Sequence, residues 1–338
     1  MVRLSTHIAL AATTAALLAP VAARAETDEV RIPVGAGGVG FLTLLMMEKH
    51  GLVDKHAKAA GHPGLKVKWV NVGGPAQVND ALLSGNAHVA PGGPPGFLTL
   101  WAKTRGTLNV MGVAAMTSMP MYLNTKVADV KSLKELRPND RIGITAIKVS
   151  IPAIIMQIYA RKHLGADKTY AFDPQTVAIT HPDGVAALLS GKSEINFHFT
   201  SPPFHQRERR DPAVRTILTT TEVMEGSTTF TMLYAMSKFR EQNPKTLKAL
   251  IGAVGEANAM IRNDRKAAAE VYLDSVGRKG WTSEDILAVL NDPDVRYTDV
   301  PENVMRYANF MADIGTLKHR PAGLADLFFP EAPTKGGN

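Results

Sequence analysis

Hydrophobic positions along the chain change repeatedly between two spacings. Residues 30–34 form a short run rich in β-branched side chains, and a glycine-rich segment follows at residues 35–40. Residues 41–50 then carry apolar side chains at helical spacing as far as Gly51, which predicts a helix that ends there. The order of strand, turn and helix recurs over residues 65–83 and 88–103, before a strand at 109–115. Such alternation indicates βαβ units and a mainly parallel sheet.

A second series of the same kind begins after Pro120. Its predicted elements are an extended segment at 121–124, a short helix at 132–136, strands at 141–145, 176–180, 194–199 and 214–219, a helix capped by Ser150 that runs to Leu164, and a helix capped by Asp183 that ends near Ser190. A strand at 229–236 and a largely helical tail follow. Two similar sets joined by two crossings predict an α/β, bilobal protein with its ligand between the lobes.

The predicted division of the chain follows from those crossings. Residues 26–118 and 224–338 form lobe 1, and residues 119–223 form lobe 2. Two near-identical segments, which start at Leu82 and at Leu188, each read as a helix end, a glycine cap and entry into a short strand. This likeness reflects either two lobes of related architecture or the coincidence of a common connection.

Composition excludes several classes of function. The 338 residues are 45% hydrophobic and 20% charged, which is typical of a globular chain. The formal charge is +7, and without the first 25 residues, which hold two arginines and no acid, it is +5. Aromatic residues are sparse and not interleaved with basic runs, so we predict no nucleic-acid partner. The densest basic run, at residues 207–210, is predicted to be a solvated helix end.

The N-terminus has the pattern of a signal peptide. Arg3 and His7 precede an apolar stretch at residues 8–19, and a small-x-small pattern ends at Ala25, so we predict cleavage before Glu26. The stretch is too short to span a membrane, and a surface amphipathic helix is the alternative. The chain has no cysteine, hence no lipid-attachment site and no disulfide. Export without a lipid anchor favours the periplasm.

Several segments, in order, resemble one known family. They are the element at 41–55 with its Met47-to-Val53 core, the glycine turn and helix at 73–85, the segment at 131–136, the helix at 182–191 and the helix that begins at Asn243-Pro244. Together these resemble the nitrate/sulfonate/taurine substrate-binding proteins. The chain departs from the family pattern at Leu52, in the loop at 145–150 and in the segment at 197–203, and these changes leave the ligand open.

The resemblance implies a type II periplasmic binding protein fold, with two doubly wound mixed sheets and a hinge of two crossings. It also implies a monomer that binds one small molecule without a cofactor and delivers it to an inner-membrane ABC permease with its ATPase. The expected ligand is a small organic anion, a sulfonate such as taurine or a carboxylate. The alternatives are a receptor for a thiamine-pyrimidine-type heterocycle and a cytosolic pyrimidine-precursor synthase, which the predicted signal peptide disfavours.

Candidate binding residues lie where predicted strands end and helices begin. Backbone N–H groups and positive helix ends at these loops favour an anion, and glycine allows close approach. The candidates are Gly38, Gly40, Phe41, Gly73, Gly74, Gly93, Pro94, Thr145, Lys148, Ser150, His198, Phe199 and Thr200. Lys148 either pairs with the anion or is a solvated loop lysine, and Ser150 is a plain helix cap or a cap that also meets the ligand. His198 is the pH-sensitive candidate, with a core histidine as the alternative.

The sequence does not provide the surroundings that enzyme motifs require. Gly35, Gly37 and Gly40 match the spacing of a dinucleotide fingerprint, but the second strand ends without the acidic residue that binds a ribose. The chain has no nucleophile elbow, Walker loop or zinc-protease motif. His198 and His205 flank two prolines and make no helical metal pair. We therefore predict a binding protein that is not an enzyme and holds no metal.

Overall fold

The computed structural model describes residues 25–34, 37–72, 75–278 and 280–338. Eleven strands are described: β1 Glu29–Pro33, β2 Lys66–Val70, β3 Val89–Gly92, β4 Val110–Ser118, β5 Tyr122–Thr125, β6 Ile142–Ile144, β7 Thr176–Ala178, β8 Phe197–Thr200, β9 Arg215–Thr219, β10 Thr229–Met236 and β11 Arg296–Tyr297. The predicted signal peptide, apart from Ala25, and the candidates Gly73 and Gly74 lie outside the described residues.

The described helices are α1 Leu42–Lys49, α2 Leu52–Ala59, α3 Pro75–Leu83, α4 Pro94–Thr104, α5 Ile151–Leu164, α6 His181–Ser190, α7 Phe204–Glu208, α8 Thr220–Met224, α9 Ser237–Gln242, α10 Pro244–Asn263, α11 Arg265–Val276, α12 Ser283–Asn291, α13 Val304–Asp313 and α14 Leu324–Leu327. Short 3-10 helices lie at Val39–Phe41, Leu133–Glu135, Ala166–Lys168 and Asp173–Gln175. None of the helices in the described ranges is long and apolar enough to cross a membrane.

One sheet system belongs to the first and last parts of the chain. β1 and β2 pair in parallel, and a four-stranded sheet has the order β11-β4-β10-β3. The His88 amide donates to the Arg31 carbonyl over 3.0 Å and joins β1 to the start of β3. All neighbouring pairs of the four-stranded sheet are antiparallel, so the mainly parallel sheet expected here is wrong, and the sheet system is mixed only through the parallel β1–β2 pair.

The second sheet is built from the middle of the chain in the order β7-β6-β8-β5-β9. β6 is parallel to β7 and β8, whereas β5 is antiparallel to β8 and β9. Residues 119–121 and 225–228 connect the two sheet systems. Below, lobe 1 and lobe 2 denote the ranges proposed above, and their boundaries stay a prediction.

One local expectation is confirmed and one needs correction. The helix expected to end at Gly51 is α1, and the left-handed φ of 57° at Gly51 then turns the chain directly into α2, which buries Leu52 and Val53. Asp183 is not the cap of α6. Thr180 caps it in an extended conformation, and its hydroxyl accepts from the Asp183 amide at 3.4 Å. Asp183 lies in the first turn, where a carboxylate favours the positive helix end.

Apolar packing holds the lobes together on one side. One buried cluster lies mainly in lobe 1 around α1, α10 and α11 and also includes Val185 and Phe204 of lobe 2, and a second cluster includes residues of both lobes. In the second, α5 of lobe 2 packs against α4 and α13 of lobe 1. Each large side chain buried there contributes about 1.5–3 kcal/mol relative to exposure. The two lobes therefore share a hydrophobic boundary beside the loops that the sequence singles out.

Candidate functional site

The loops at the strand ends of the two lobes lie against each other. A Cβ atom added at Gly38 would lie 3.4 Å from both the Phe204 ring and the Pro202 carbonyl oxygen. A Cβ atom added at Gly93 would lie 3.2 Å from the Ile151 side chain. Loops that follow β1 and β3 in lobe 1 thus face loops that follow β6 and β8 in lobe 2. This interlobe face is the candidate binding site.

The first glycine loop contributes one residue to that face. Gly38 has φ 81° and ψ 161°, a conformation that side-chain-bearing residues rarely adopt. Gly40 instead serves packing, because an added Cβ would overlap the Phe230 ring, and its carbonyl accepts hydroxyl hydrogen bonds from Thr231 at 2.7 Å and Thr117 at 3.2 Å. Phe41 is half-buried against the lobe 1 core.

Prolines limit the backbone donors at two helix starts. Gly93 is the extended N-cap of α4, and the next two residues are Pro94 and Pro95, which have no N–H. Ser150 caps α5, since its hydroxyl accepts from the Ala153 amide at 3.4 Å, and Pro152 again lacks an N–H. The helix ends keep their positive dipole but offer fewer hydrogen bonds to an anion than the glycine pattern suggests.

Lys148 lies in an exposed loop. Its φ is 70°, and the flanking Ile147 and Val149 are 42% and 41% exposed. Burial raises the pKa of the Asp173 carboxyl, and a hydrogen bond from Gln157 and the Lys148 charge act in the opposite direction. The Lys148 ammonium group therefore lies near enough to the Asp173 carboxyl to affect its pKa. Thr145, at the start of the same loop, is half-buried.

The three candidates of β8 are all fully buried. Phe199 belongs to the apolar cluster shared by the lobes. His198 and Thr200 lie on the opposite face of the strand, as the two-residue period requires. The Thr200 hydroxyl has no hydrogen-bond partner among the described residues. A buried hydroxyl without a partner is costly and needs an explanation.

His198 is the centre of a buried polar network in lobe 2. Its Nδ1 lies 2.5 Å from Oε1 of Glu208, and Oε2 of that carboxylate accepts from the Asn124 amide at 2.7 Å. All three side chains are fully buried. Asn124 also contacts Nδ1 of His205 at 3.1 Å and accepts from the Thr216 hydroxyl at 2.7 Å. His198 therefore lies in the core of lobe 2, and its role at the binding site stays a prediction.

The other edge of the His198 ring leads toward the interlobe face. Nε2 lies 3.3 Å from Nδ1 of His181, whose Nε2 lies 3.4 Å from the Ser201 hydroxyl. Burial, followed by the His198 charge, lowers the pKa of His181 to about 3. Burial and the Arg209 charge lower the pKa of His205 to about 4. Both rings are therefore neutral at pH 7.

Sequence reasoning missed His181, Ser201 and Glu208. Their positions along the chain show no common period, because they come from α6, the end of β8 and the end of α7. The available signal was an acid within a basic run and a serine directly after a strand of lobe 2. Neither signal identifies its partner without the fold.

The basic run at residues 207–210 is not merely a solvated helix end, which corrects the prediction. Glu208 within it is fully buried, and Arg207 and Arg210 approach the Trp281 ring of lobe 1 at 5.5 and 5.8 Å. Arg210 also pairs with Asp285 of lobe 1 and holds the pKa of that carboxyl below its usual range. The run therefore bridges the lobes.

Two other concave regions are lined by residues outside the loops of the interlobe face. A cavity of about 300 Å³ lies among Trp101, Arg105, Asn109 and Glu241, and one of about 480 Å³ lies beside residues 261–265 and 290–299. Within the part of the chain that the structure describes, no group of three His, Asp or Glu side chains is arranged to hold a metal ion.

Comparison with known proteins places the fold. No family model and no curated protein matches the chain. The alkanesulfonate-binding protein SsuA from Xanthomonas axonopodis pv. citri, bound to MOPS, matches at 14% identity and TM-score 0.68, covering 90% of this chain and 99% of that one. The nitrate-binding protein NrtA from Synechocystis PCC 6803 matches at 15% and 0.67, covering 89% and 84%.

A Candida albicans protein with the generic periplasmic binding protein fold matches at 15% identity and TM-score 0.62, covering 87% of this chain and 91% of that one. At these identities the likeness shows the fold alone. It confirms the predicted α/β periplasmic binding protein fold with mixed sheets.

Proposed function

We propose that this chain, whose fold is that of periplasmic binding proteins, is the solute-binding component of an ABC importer that captures a small organic anion between its lobes. The observation that carries the proposal is the match over about nine-tenths of the chain to proteins named for alkanesulfonate and nitrate binding. The same match supports a binding protein that is not an enzyme, and a periplasmic location.

The chemistry of the facing loops supports an anionic ligand. Residues 37–41, 92–96, 145–150 and 197–203 contain no Asp or Glu, and Lys148 is the single Lys or Arg among them. Lobe 1 offers the backbone of Gly38 and Gly93, and lobe 2 offers hydroxyl groups at the ends of β6 and β8. Hydroxyl and amide donors suit the oxygens of a sulfonate or carboxylate.

Closure of the lobes is the mechanistic step. Contacts such as Arg210 with Asp285 and Arg207 with Trp281 join the lobes beside the loops. A ligand that touches both lobes stabilises the arrangement that has these contacts and shifts the population toward it. In the proposal, a monomer closed in this way presents both lobes to the permease.

A thermal-shift screen of residues 26–338 tests the proposal. We expect stabilisation by taurine, alkanesulfonates, carboxylates or nitrate, of about 2.7 kcal/mol for a ligand at 100 times its Kd. Lys148→Ala reduces the shift if Lys148 pairs with the anion, whereas Lys192→Ala, at another exposed loop lysine of lobe 2, leaves it unchanged. A shift with pyrimidine precursors alone refutes the anion receptor, and turnover of a substrate by the purified chain refutes a pure binding role.

A further inference from the structure

The structure assigns a donor end to the buried network of lobe 2. We propose that the chain Glu208–His198–His181–Ser201 is a polarised hydrogen-bond relay, which fixes the Ser201 hydroxyl as a donor toward an acceptor-only oxygen of the bound anion. This inference rests on the proposed function and names the part of the site that would select acceptor groups over donor groups.

The direction of the relay follows from the carboxylate at its buried end. Glu208 is fully buried and, when ionised, can only accept hydrogen bonds. His198 Nδ1, at 2.5 Å, is the donor that faces Oε1, and the Asn124 amide faces Oε2. A buried carboxylate needs a positive partner, and the imidazolium form of His198 supplies that charge.

The hydrogen-bond direction set by Glu208 continues through the two histidine rings. With His198 protonated on both nitrogens, Nε2 donates to Nδ1 of His181 over 3.3 Å. The neutral His181 ring must then carry its proton on Nε2, which donates to the Ser201 oxygen over 3.4 Å. Because that oxygen accepts from His181, the Ser201 hydrogen remains free to donate elsewhere.

Groups from several elements approach the His198 ring. Glu208 comes from α7, His181 from α6 and Asn124 from β5, and the backbone positions that approach the ring are Gly184 and Gly143. Among these groups Glu208 is the acid and His181 is a neutral base, and the neutral His205 joins the same network through Asn124. The relay therefore contains one charged pair, Glu208 with His198, and ends at the Ser201 hydroxyl.

The Ser201 end of the relay lies on the interlobe face. Ser201 follows β8 directly, and the carbonyl of the next residue, Pro202, lies against Gly38 of lobe 1. Its neighbour Thr200 has a buried hydroxyl without a partner, which is a second, independent sign that a polar group is missing here. Ser201 is 2% exposed, so its hydroxyl is reached when the lobes separate.

The relay itself is tested without ligand by nitrogen-15 NMR of the histidine side chains at pH 7. We expect the shifts of His181 to show a protonated Nε2 and an unprotonated Nδ1, and those of His198 to show both nitrogens protonated. Glu208→Gln should remove the His198 charge. A His181 ring protonated on Nδ1 in the unsubstituted protein overturns the proposal, whether or not any anion binds.

Calorimetric titration tests the function of the donor. The probes are 1-butanesulfonate, which offers acceptors only, and 1-butanesulfonamide, which also carries donors. We expect Ser201→Ala and Glu208→Gln each to weaken 1-butanesulfonate binding about tenfold, and the double variant to be no weaker than Ser201→Ala alone, because both changes break one relay. Ser201→Thr should restore most of the affinity.

Thr246→Val is the matched control, since it removes another buried hydroxyl, which donates to Glu26 in lobe 1. It should leave the affinity unchanged. Binding of 1-butanesulfonate that is insensitive to Ser201→Ala overturns the relay and leaves the proposed function standing. If neither 1-butanesulfonate, butyrate nor nitrate binds the unsubstituted protein, the proposed function and the donor role both fail, while the NMR result still reports on the relay.

Discussion

The two sides of the interlobe face are built differently. Lobe 1 presents backbone at Gly38 and Gly93, and buried polar pairs of this lobe such as Thr43 with Asn258 are neutral. Lobe 2 presents hydroxyl groups backed by an ionisable network around His198. Close steric fit is therefore the main requirement in lobe 1, and the positions of protons on the side chains are the main requirement in lobe 2. The effects of substitutions should accordingly depend on pH in lobe 2 and not in lobe 1.

The largest expected effect comes from breaking the buried charge pair of lobe 2. Glu208→Ala should lower the free energy of unfolding by about 3–5 kcal/mol, because it leaves His198 without its counter-charge. Thr43→Ala in lobe 1, which leaves only the neutral Asn258 unsatisfied, should cost about 1–3 kcal/mol. Urea denaturation at pH 7 measures both, and equal losses would contradict the contrast between the lobes.

A second pair of substitutions tests packing on each side. A Cβ at Gly40 would overlap the Phe230 ring, and one at Gly184 would overlap the His198 ring. Each alanine variant should lose about 1–3 kcal/mol, although alanine is otherwise favoured within a helix. Gly64→Ala, with open space around it, is the control and should be nearly neutral. Thermal unfolding decides, and only Gly184→Ala should also change the pH dependence of stability.

Acid should destabilise the chain through the neutral histidines of lobe 2. In the folded state the pKa is about 3 for His181 and about 4 for His205, below the ordinary value near 6.5. Their stabilising contribution is therefore complete above pH 6.5. It is lost as the pH falls from 6.5 toward 4, because over this interval the unfolded chain binds protons that the folded chain does not.

At pH 5 the loss should be about 1 kcal/mol for each ring, after allowance for their partial exposure. Urea titrations at pH 7.5 and pH 5 measure this loss of unfolding free energy. His205→Gln should reduce the difference between the two pH values by the contribution of that ring. A stability that does not change over this range would show that these rings are not held neutral.

Helix caps give the smallest effect. Ser150→Ala in lobe 2 and Thr282→Ala in lobe 1 each remove a side-chain acceptor for a first-turn amide, and each should cost about 1 kcal/mol in thermal denaturation. If the Ser150 hydroxyl also meets the ligand, Ser150→Ala alone should weaken anion binding. Equal affinity in the two variants would make Ser150 a plain cap.

The order of elements was largely readable from the sequence. Helix α5 lies where the spacing between Ser150 and Leu164 predicts it, and β10 occupies the residues of the predicted strand at 229–236. Among the helices, α2, α8, α9 and α11 were not predicted, and α7 was expected only as a helix end at residues 207–210. A glycine such as Gly51 ends one helix and begins another with the same backbone conformation, so its local signal is ambiguous.

Candidate site residues were less readable. Gly38 and Gly93 do lie on the interlobe face, but Gly40 is required by the Phe230 ring, which is 190 residues away in the chain. His198 carries chemistry, as its residue type suggests, yet its partners are His181 and Glu208. Periodicity shows that His198 and Phe199 face opposite sides of a strand, and it contains no information on what covers each side.

The sequence by itself determined the alternation of strands and helices, the two related sets of elements and, through its resemblance, the fold, because these depend on local spacing and turn chemistry. Only the tertiary structure decided that Glu208, within a basic run, is buried beside His198, and that Ser201 ends a relay opposite Gly38. Those contacts join α6, α7, β5 and β8, and such pairings arise from packing between elements that no local pattern specifies.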